Sequence, residues 1–422
     1  MRIAMIGQKG IPATYGGIER HVEEIGARLA ERGHEVSVYA RPHYTKMGGT
    51  YRGMRIHRLM SFNTKHLDTI THCFFSTLDC LARRYDIVHF HALGPSVFSS
   101  LPRLARSKTV VTVHGLDWQR GKWGKGAAWF LRQCEKPAIH LPDRTIVVSK
   151  SLQDHFWNHY RAETIVIPNG TNPAVHRPPN KIRKYGLDRH RYVLFVGRLV
   201  PEKGCHMLLE AFTKLRTDAR LVMAGGSSFS DGYVDTLMRI RNGDERIHML
   251  GYVYGDLLDE LWSNAYLVVQ PSFLEGFSIS LVEAMSHGKC ILASDIPENM
   301  EVVADCAVTF RTEDVKDLQA KLEYLLEDPV EVDRIARRCK AHARDRFSWS
   351  RIVEATEAVY REMLEGRRPA LCEEEEGTAE ARSDRGAGAG SPAVAEANAK
   401  AKAKAKASAA RAERSSSTGT SL

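Results

Sequence analysis

Apolar residues in the first part of the chain come in short runs separated by amphipathic stretches. Residues 2–6, 35–39, 87–90, 109–113 and 145–148 are strand-like runs. Residues 19–32 put Val22, Ile25, Leu29 and Ala30 on one face, which predicts a helix. Around 164–185 the texture changes to Ile165-Val166-Ile167-Pro168-Asn169-Gly170 followed by Pro173, Pro178 and Pro179, a turn and linker signal. The strand–helix pattern then restarts at 192–197, with further strands expected at 219–224, 247–250, 267–269, 290–293 and 307–310. Such alternation predicts an α/β protein with two Rossmann-like, doubly wound domains facing a crevice. From about residue 366 the chain turns Glu-rich and then Gly/Ala-rich, ending in an Ala-Lys repeat. It lacks the apolar content to fold alone and is expected to be a disordered low-complexity tail.

Composition narrows the class. Hydrophobic residues at 43% and charged residues at 26% fit a globular chain, and 422 residues are too many for one core. No apolar run reaches the roughly 18 residues of a spanning helix, and the opening apolar stretch is too short for a signal peptide. A cytoplasmic protein is expected. The eight cysteines include no C-x-x-C pair, which argues against a structural zinc site or a disulfide scaffold. Of the net charge of +9, residues 366–422 carry +2 and the folded body +7. No recognised nucleic-acid module accompanies that charge, so no nucleic-acid partner is expected.

Three constellations could carry chemistry. The first is a glycine-rich loop, 7–19, running from a strand into a helix. Its backbone N–H groups and the helix start could meet an anion, although a turn needing positive φ explains each glycine equally. The glycine spacing misses the dinucleotide fingerprint. The second strand ends on Arg41 instead of an acidic ribose ligand, which counts against a dehydrogenase. The second constellation is Gly197-Arg198-Leu199-Val200-Pro201-Glu202-Lys203-Gly204, where Arg198 and Lys203 beside a helix start suit a diphosphate. The third is Glu275-Gly276-Phe277-Ser278-Ile279-Ser280-Leu281-Val282-Glu283. It sets two carboxylates on one side of a loop–helix junction, with N–H groups of Phe277, Ser278 and Ile279 aimed at the same spot. Carboxylates accept hydrogen bonds from sugar hydroxyls, which suggests one Glu on a hexose and one on a ribose.

Together, Gly-Gly-x-Glu at 16–19, Val-Gly-Arg-x-x-x-Glu-Lys-Gly at 196–204 and the two glutamates at 275 and 283 resemble the GT4 family of retaining glycosyltransferases, which have the GT-B fold and use nucleotide sugars. The likeness spans residues 1 to about 365. The segment 347–364 looks like the family's C-terminal helix, which crosses back to the first domain. The opening 10–17 further resembles a bacterial subgroup in cell-envelope polysaccharide or rhamnosyl transfer. The resemblance implies an acceptor domain at 1–168, a linker at 169–190 and a donor domain at 191–345. A crossover helix at 346–365 and the tail at 366–422 complete it.

It further implies site roles. Arg198 and Lys203 take the donor diphosphate, Glu275 the sugar hydroxyls and Glu283 the ribose, while Gly16 and Gly17 approach the sugar-phosphate. His114, in Val113-His114-Gly115, lies near the donor sugar. Negative charge growing on the leaving diphosphate would be stabilised by Arg198, Lys203 and helix starts. Attack on the leaving-group face would let the phosphate take the acceptor's proton. Closure of the crevice would need a hinge near 169–190. No Asp-x-Asp motif is present, so no metal and no cofactor are expected, the nucleotide sugar being a substrate of UDP or GDP type. The implied activity is a hexosyl transferase.

On the acceptor side, His89, His91 and Trp118 are expected to line the site, and the loop 64–68 is a further candidate. His89 and His91 at i and i+2 could mimic a metal site but lack an evident third ligand. Residues 117–132 mix three tryptophans with Arg120, Lys122, Lys125 and Arg132. They suit either a membrane interface, at the inner face of a cell membrane with a glycan or polyprenyl-linked acceptor, or a half-buried helix over the acceptor cleft. A nucleotide-sugar epimerase and a non-catalytic nucleotide-sugar sensor remain the alternative readings.

Overall fold

The computed structural model describes residues 1–366 except Tyr15, Lys65, His66, Lys122, Ser228 and Phe229 and the side chain of Asp231. The expected tail at 366–422 therefore lies, beyond Gly366, outside the described residues, as do Lys122 and the centre of the 64–68 loop. The chain divides into two units, one of residues 1–170 with 347–366, the other Thr171–Arg346.

The first unit is built on a sheet of β1 (Arg2–Ile6), β2 (Glu35–Ala40), β3 (Gly49–Tyr51), β4 (Met54–Arg58), β5 (Ile87–His91), β6 (Lys108–Val113), β7 (Arg144–Val147) and β8 (Ile165–Val166). Its order is β3-β4-β2-β1-β5-β6-β7-β8, parallel except for the antiparallel β3–β4 hairpin at the edge. The strand β1 is buried on both faces from Ile3 to Ile6, which is why it reads as an unbroken apolar run and not as an alternation. The helices are α1 (Gly17–Glu31), α2 (Leu67–Arg83), α3 (Lys125–Gln133), α4 (Glu135–His140) and α5 (Lys150–Tyr160). The predicted apolar stripe of α1 is real, with Val22, Ile25 and Leu29 all buried in the core.

In the second unit, β9 (Tyr192–Val196), β10 (Arg220–Ala224), β11 (Ile247–Gly251), β12 (Leu267–Gln270), β13 (Cys290–Ser294) and β14 (Val308–Phe310) pair in the order β11-β10-β9-β12-β13-β14. All of these pairs are parallel, the doubly wound order. Helices α6 (Cys205–Thr213), α7 (Asp231–Arg241), α8 (Gly255–Asn264), α9 (Ile279–Ser286), α10 (Pro297–Val303), α11 (Val315–Glu327) and α12 (Pro329–Arg346) belong to it. Each unit thus has the predicted α/β, doubly wound architecture.

The last described helix, α13 (Trp349–Glu365), returns to the first unit. It buries Trp349, Ile352, Val353, Val359, Tyr360 and Met363 in the same apolar core as α1 and β1. Ion pairs fix its outer side, where Glu357 accepts from Arg32 (2.7 Å), Arg361 (2.6 Å) and His34 (3.0 Å). Burial alone would raise the Glu357 carboxyl. The hydrogen bonds from these three groups outweigh it and pull the pKa down to about 2.

In open α/β sheets, ligands gather beyond the carboxyl ends of the strands where strand order reverses. That point falls between β1 and β5 in one unit and between β9 and β12 in the other.

Candidate functional site

In the second unit, the loops leaving β9 and β12 meet. Gly204 has φ +65, and a Cβ there would lie 2.1 Å from the carbonyl oxygen of Pro271, so the two loops can touch only because this residue is glycine. The Phe273 N–H donates to the Glu202 carbonyl (3.1 Å) and joins them further. This contact brings Lys203 and Glu275 into an ion pair whose side chains are 14% and 7% exposed. Gln270, the last residue of β12, donates from Nε2 to Glu275 Oε1 (2.8 Å) and to Ser272 Oγ (2.9 Å). Gln270 is held in turn by Ser280 Oγ, which donates to its Oε1 (3.2 Å).

Burial would raise the Glu275 carboxyl, but the Lys203 ammonium and the hydrogen bonds from Lys203, Ser272 and Gln270 hold it below the usual carboxylate range. The group is therefore an anion at neutral pH. It accepts from this set while retaining lone pairs for further donors.

Arg198 lies half-buried on the loop after β9. Phe277 and Ser278 are buried just before α9, and Ile279 opens that helix. No side chain caps the start of α9, and the Ser278 hydroxyl instead lies 3.2 Å from that of Ser280. Helix N–H groups left without a side-chain cap suit an anion. Glu283 sits half-buried in the second turn of α9. The unit thus concentrates Arg198, Lys203, Glu275, Phe277, Ser278, Ile279 and Glu283 on two loops and one helix.

In the first unit the corresponding loops look different. The loop after β1 is braced from α1, whose Glu19 accepts from the Lys9 N–H (3.0 Å) and whose Glu23 accepts from the Ala13 N–H (2.6 Å). These N–H groups, expected from the sequence to face an anion, are spent on the protein's own carboxylates. Gly16, at φ +106, caps α1, and a Cβ there would meet Glu19 Oε2 at 2.0 Å. Gly17 is the first helical residue, and no side-chain hydrogen bond caps the helix. Arg41, which the sequence sets where a ribose ligand would stand, is buried against Asp68 (2.5 Å) and Thr69 (3.1 Å) and ties β2 to α2.

Beyond β5 and β6 lies a cluster of imidazoles. His114 Nε2 is 3.2 Å from His91 Nδ1, and the ring of His21, from α1, stands 4.6 Å from that of His114. His21 Nδ1 donates to Asn169 Oδ1 (2.6 Å). His89 is different. Tyr360 Oη of α13 and Thr112 Oγ1 each lie 2.6 Å from its ring nitrogens, and the side chain is wholly buried. His89 therefore acts as a core residue that anchors α13, not as a wall of an acceptor site.

Burial lowers the pKa of all four rings, to about 4 for His21 and about 3 for His89, and well below the usual value for His91 and His114. Neighbouring imidazoles add to this for His89, His91 and His114, whereas the bond to Asn169 partly offsets it for His21. They are neutral at physiological pH. Sequence spacing revealed the i, i+2 pair of β5 but not His21, which joins it from α1 through the tertiary fold.

Trp118 is half-buried and donates from Nε1 to Glu135 Oε1 (2.6 Å), under the Arg132 guanidinium (5.2 Å). The carboxylate of Glu135 also takes Tyr160 (2.6 Å), so Trp118 serves a buried hydrogen-bond hub at the base of α3. Helix α3 buries no residue and exposes Trp129 and Phe130.

Two doubly wound units of this kind define the GT-B fold of glycosyltransferases. Residues 15–175 match the family described as Glycosyltransferase Family 4, and residues 179–346 match Glycosyl transferases group 1. The chain belongs to these GT-B glycosyltransferases. It is 26% identical over 400 residues to an uncharacterized glycosyltransferase of Methanocaldococcus jannaschii, covering 86% of this chain and 99% of that one. Among solved structures, sucrose-phosphate synthase of Thermosynechococcus elongatus superposes with a TM-score of 0.74 at 21% identity, over 86% of this chain and 99% of the other. HepE of Anabaena, in complex with UDP-glucose, gives 0.72 at 21%, over 87% and 100%. No described helix is long and apolar enough to cross a membrane.

Proposed function

We propose that the protein transfers a hexose-type sugar, with retention of anomeric configuration, from a nucleotide-diphosphate sugar to a glycan or polyprenyl-linked acceptor of the bacterial envelope, in the rhamnosyltransferase-like subgroup. The observation that carries this reading is the buried Lys203–Glu275 pair at the switch point of the second sheet, a preformed cation and anion side by side.

A sugar-diphosphate needs that combination. Lys203 keeps N–H donors for phosphate oxygens while Glu275 takes sugar hydroxyls. Arg198 adds a bidentate donor for the second phosphate, and Glu283 receives the ribose. N–H groups at Phe277, Ser278 and Ile279 and the uncapped start of α9 complete the anion site. As the sugar–phosphate bond breaks, charge grows on the diphosphate, and these fixed donors stabilise it without a metal. The leaving phosphate then takes the acceptor's proton on the same face. From the first unit, Gly16 and Gly17 serve the sugar-phosphate, and His114, kept neutral by burial, serves the donor sugar.

HepE's complex with UDP-glucose supports a uridine donor. Exposed Trp129 and Phe130, flanked on α3 by exposed Lys125 and Arg132, support contact with an anionic membrane face presenting a lipid-linked acceptor.

A thermal-shift panel of UDP, GDP, ADP and dTDP with their sugars, with and without EDTA, tests the donor site. Stabilisation by the uridine series, unaffected by EDTA, is expected. No shift with any nucleotide would remove the donor assignment, and a shift abolished by EDTA would mean a metal carries the diphosphate.

A further inference from the structure

Four buried histidines gather at the carboxyl ends of β5 and β6, and their ring nitrogens are not equivalent. Those of His89 are both occupied, by Tyr360 and Thr112. His21 gives its Nδ1 proton to Asn169, so its Nε2 carries a bare lone pair, which is buried and meets no hydrogen-bond partner. His91 Nε2 is likewise buried and unpartnered, while its Nδ1 faces His114 Nε2. Buried polar atoms are normally satisfied, and the His21 orphan, next to the His91 Nδ1–His114 Nε2 contact, asks what it is for.

One ring nitrogen from each of His21, His91 and His114 lies within 4.8 Å of the others. A tetrahedral ion with metal–nitrogen bonds of 2.0–2.1 Å needs its ligand atoms about 3.4 Å apart. His91 Nδ1 and His114 Nε2, at 3.2 Å, already meet that spacing, and His21 Nε2 needs to close by roughly an ångström through rotation of its ring, while His91 Nε2 stays outside the ligand set.

We propose that His21, His91 and His114 form a site for a first-row transition-metal ion, Zn2+ above all, whose occupancy takes His114 from the donor and so inhibits transfer. Three neutral imidazoles with one open position match the ligand set such ions prefer, and the lack of any oxygen ligand excludes Mg2+ and Ca2+. Asn169 supplies the outer hydrogen bond that fixes the His21 tautomer with Nε2 toward the ion. His114, at 9% exposure, is the least buried of the three ligands and marks the way in. The inhibitory part rests on the role proposed for His114, whereas metal binding itself does not.

The test uses the full chain, stripped with EDTA, equilibrated with Zn2+, desalted and analysed for retained metal, with Co2+ as an absorption probe. Wild type is expected to retain one more ion per chain than the His21→Ala/His91→Ala double variant. Its Co2+ spectrum should have the intense bands of four- or five-coordination, and Mg2+ should not be retained. Asn169→Ala should weaken retention about 10–100-fold and gives a readout should the double variant fail to fold. Equal metal content in wild type, the double variant and Asn169→Ala would overturn the site, as would a weak, aquo-like Co2+ spectrum. Zn2+ should slow transfer and EDTA should restore it. Retained metal with unimpeded transfer would overturn the inhibition, and a protein that retains the metal but transfers from no donor even after EDTA would sink the transferase reading while leaving the site intact.

Discussion

The two units share a topology but furnish their switch points in opposite ways. Beyond β9 and β12 stands a charged pair, Lys203 and Glu275, with an uncapped helix start beside it. Beyond β1 and β5, His21 of α1 and His91 of β5 join His114 from the end of β6 as neutral imidazoles, and the nearby loop N–H groups of Lys9 and Ala13 are already satisfied by Glu19 and Glu23. Burying an ion is costly unless it is paired, so a fold retains such a pair only where geometry or a ligand compensates. The contrast teaches that one topology can present fixed charges at one sheet's carboxyl ends and neutral rings at the other's. This agrees with the proposed split between donor and acceptor.

The largest expected effect is on turnover. Glu275→Ala should reduce kcat about 10²–10³-fold in a transfer assay, with a smaller change in nucleotide affinity, since its partner is the sugar. A fall in affinity alone would assign Glu275 to the nucleotide and blur the contrast.

Stability should respond next. Lys203→Met leaves Glu275 buried without its cation, and urea unfolding should show a loss of about 3 kcal/mol. Adding Glu275→Gln should recover much of that stability without recovering nucleotide binding. Failure of the double variant to recover would mean that Lys203 stabilises through packing and not through charge.

In the first unit, Tyr360→Phe leaves a buried His89 nitrogen without its 2.6 Å partner and should cost about 1–3 kcal/mol in the same assay. No loss would mean that α13 is held by its apolar face alone.

The smallest effect concerns acid. Glu357 titrates near 2 in the fold against an ordinary 4.5, so its contribution is complete above about 4.5 and is lost as pH falls through about 2. Comparing Tm against pH for wild type and Glu357→Gln should show curves that converge towards pH 2. A constant gap would contradict the pairing with Arg32, His34 and Arg361.

Much of the architecture was legible because parallel strands buried on both faces write themselves as short apolar runs, and α1 as a stripe of Val22, Ile25 and Leu29. The β3–β4 hairpin escaped because Gly49–Tyr51 is an exposed, three-residue edge with no apolar run to announce it. The glycine loops and the charged residues after β9 and β12 were legible from spacing. That Lys203 and Glu275 touch was not, since 72 residues separate them and the contact depends on Gly204 seating against Pro271. The same holds for His89, whose neighbours Thr112 and Tyr360 come from β6 and from α13, 271 residues away. A lone histidine in a strand carries no mark of whether it faces a ligand or a tyrosine.

The most direct test of the central claim is calorimetric titration of UDP into wild type and Lys203→Met. Loss of one charge-assisted hydrogen bond to a phosphate is worth about 1.5–3 kcal/mol, so affinity should fall about 10–100-fold while the enthalpy becomes less favourable. Unchanged affinity in a folded Lys203→Met would contradict the assignment of the second unit's charged loop to the donor diphosphate.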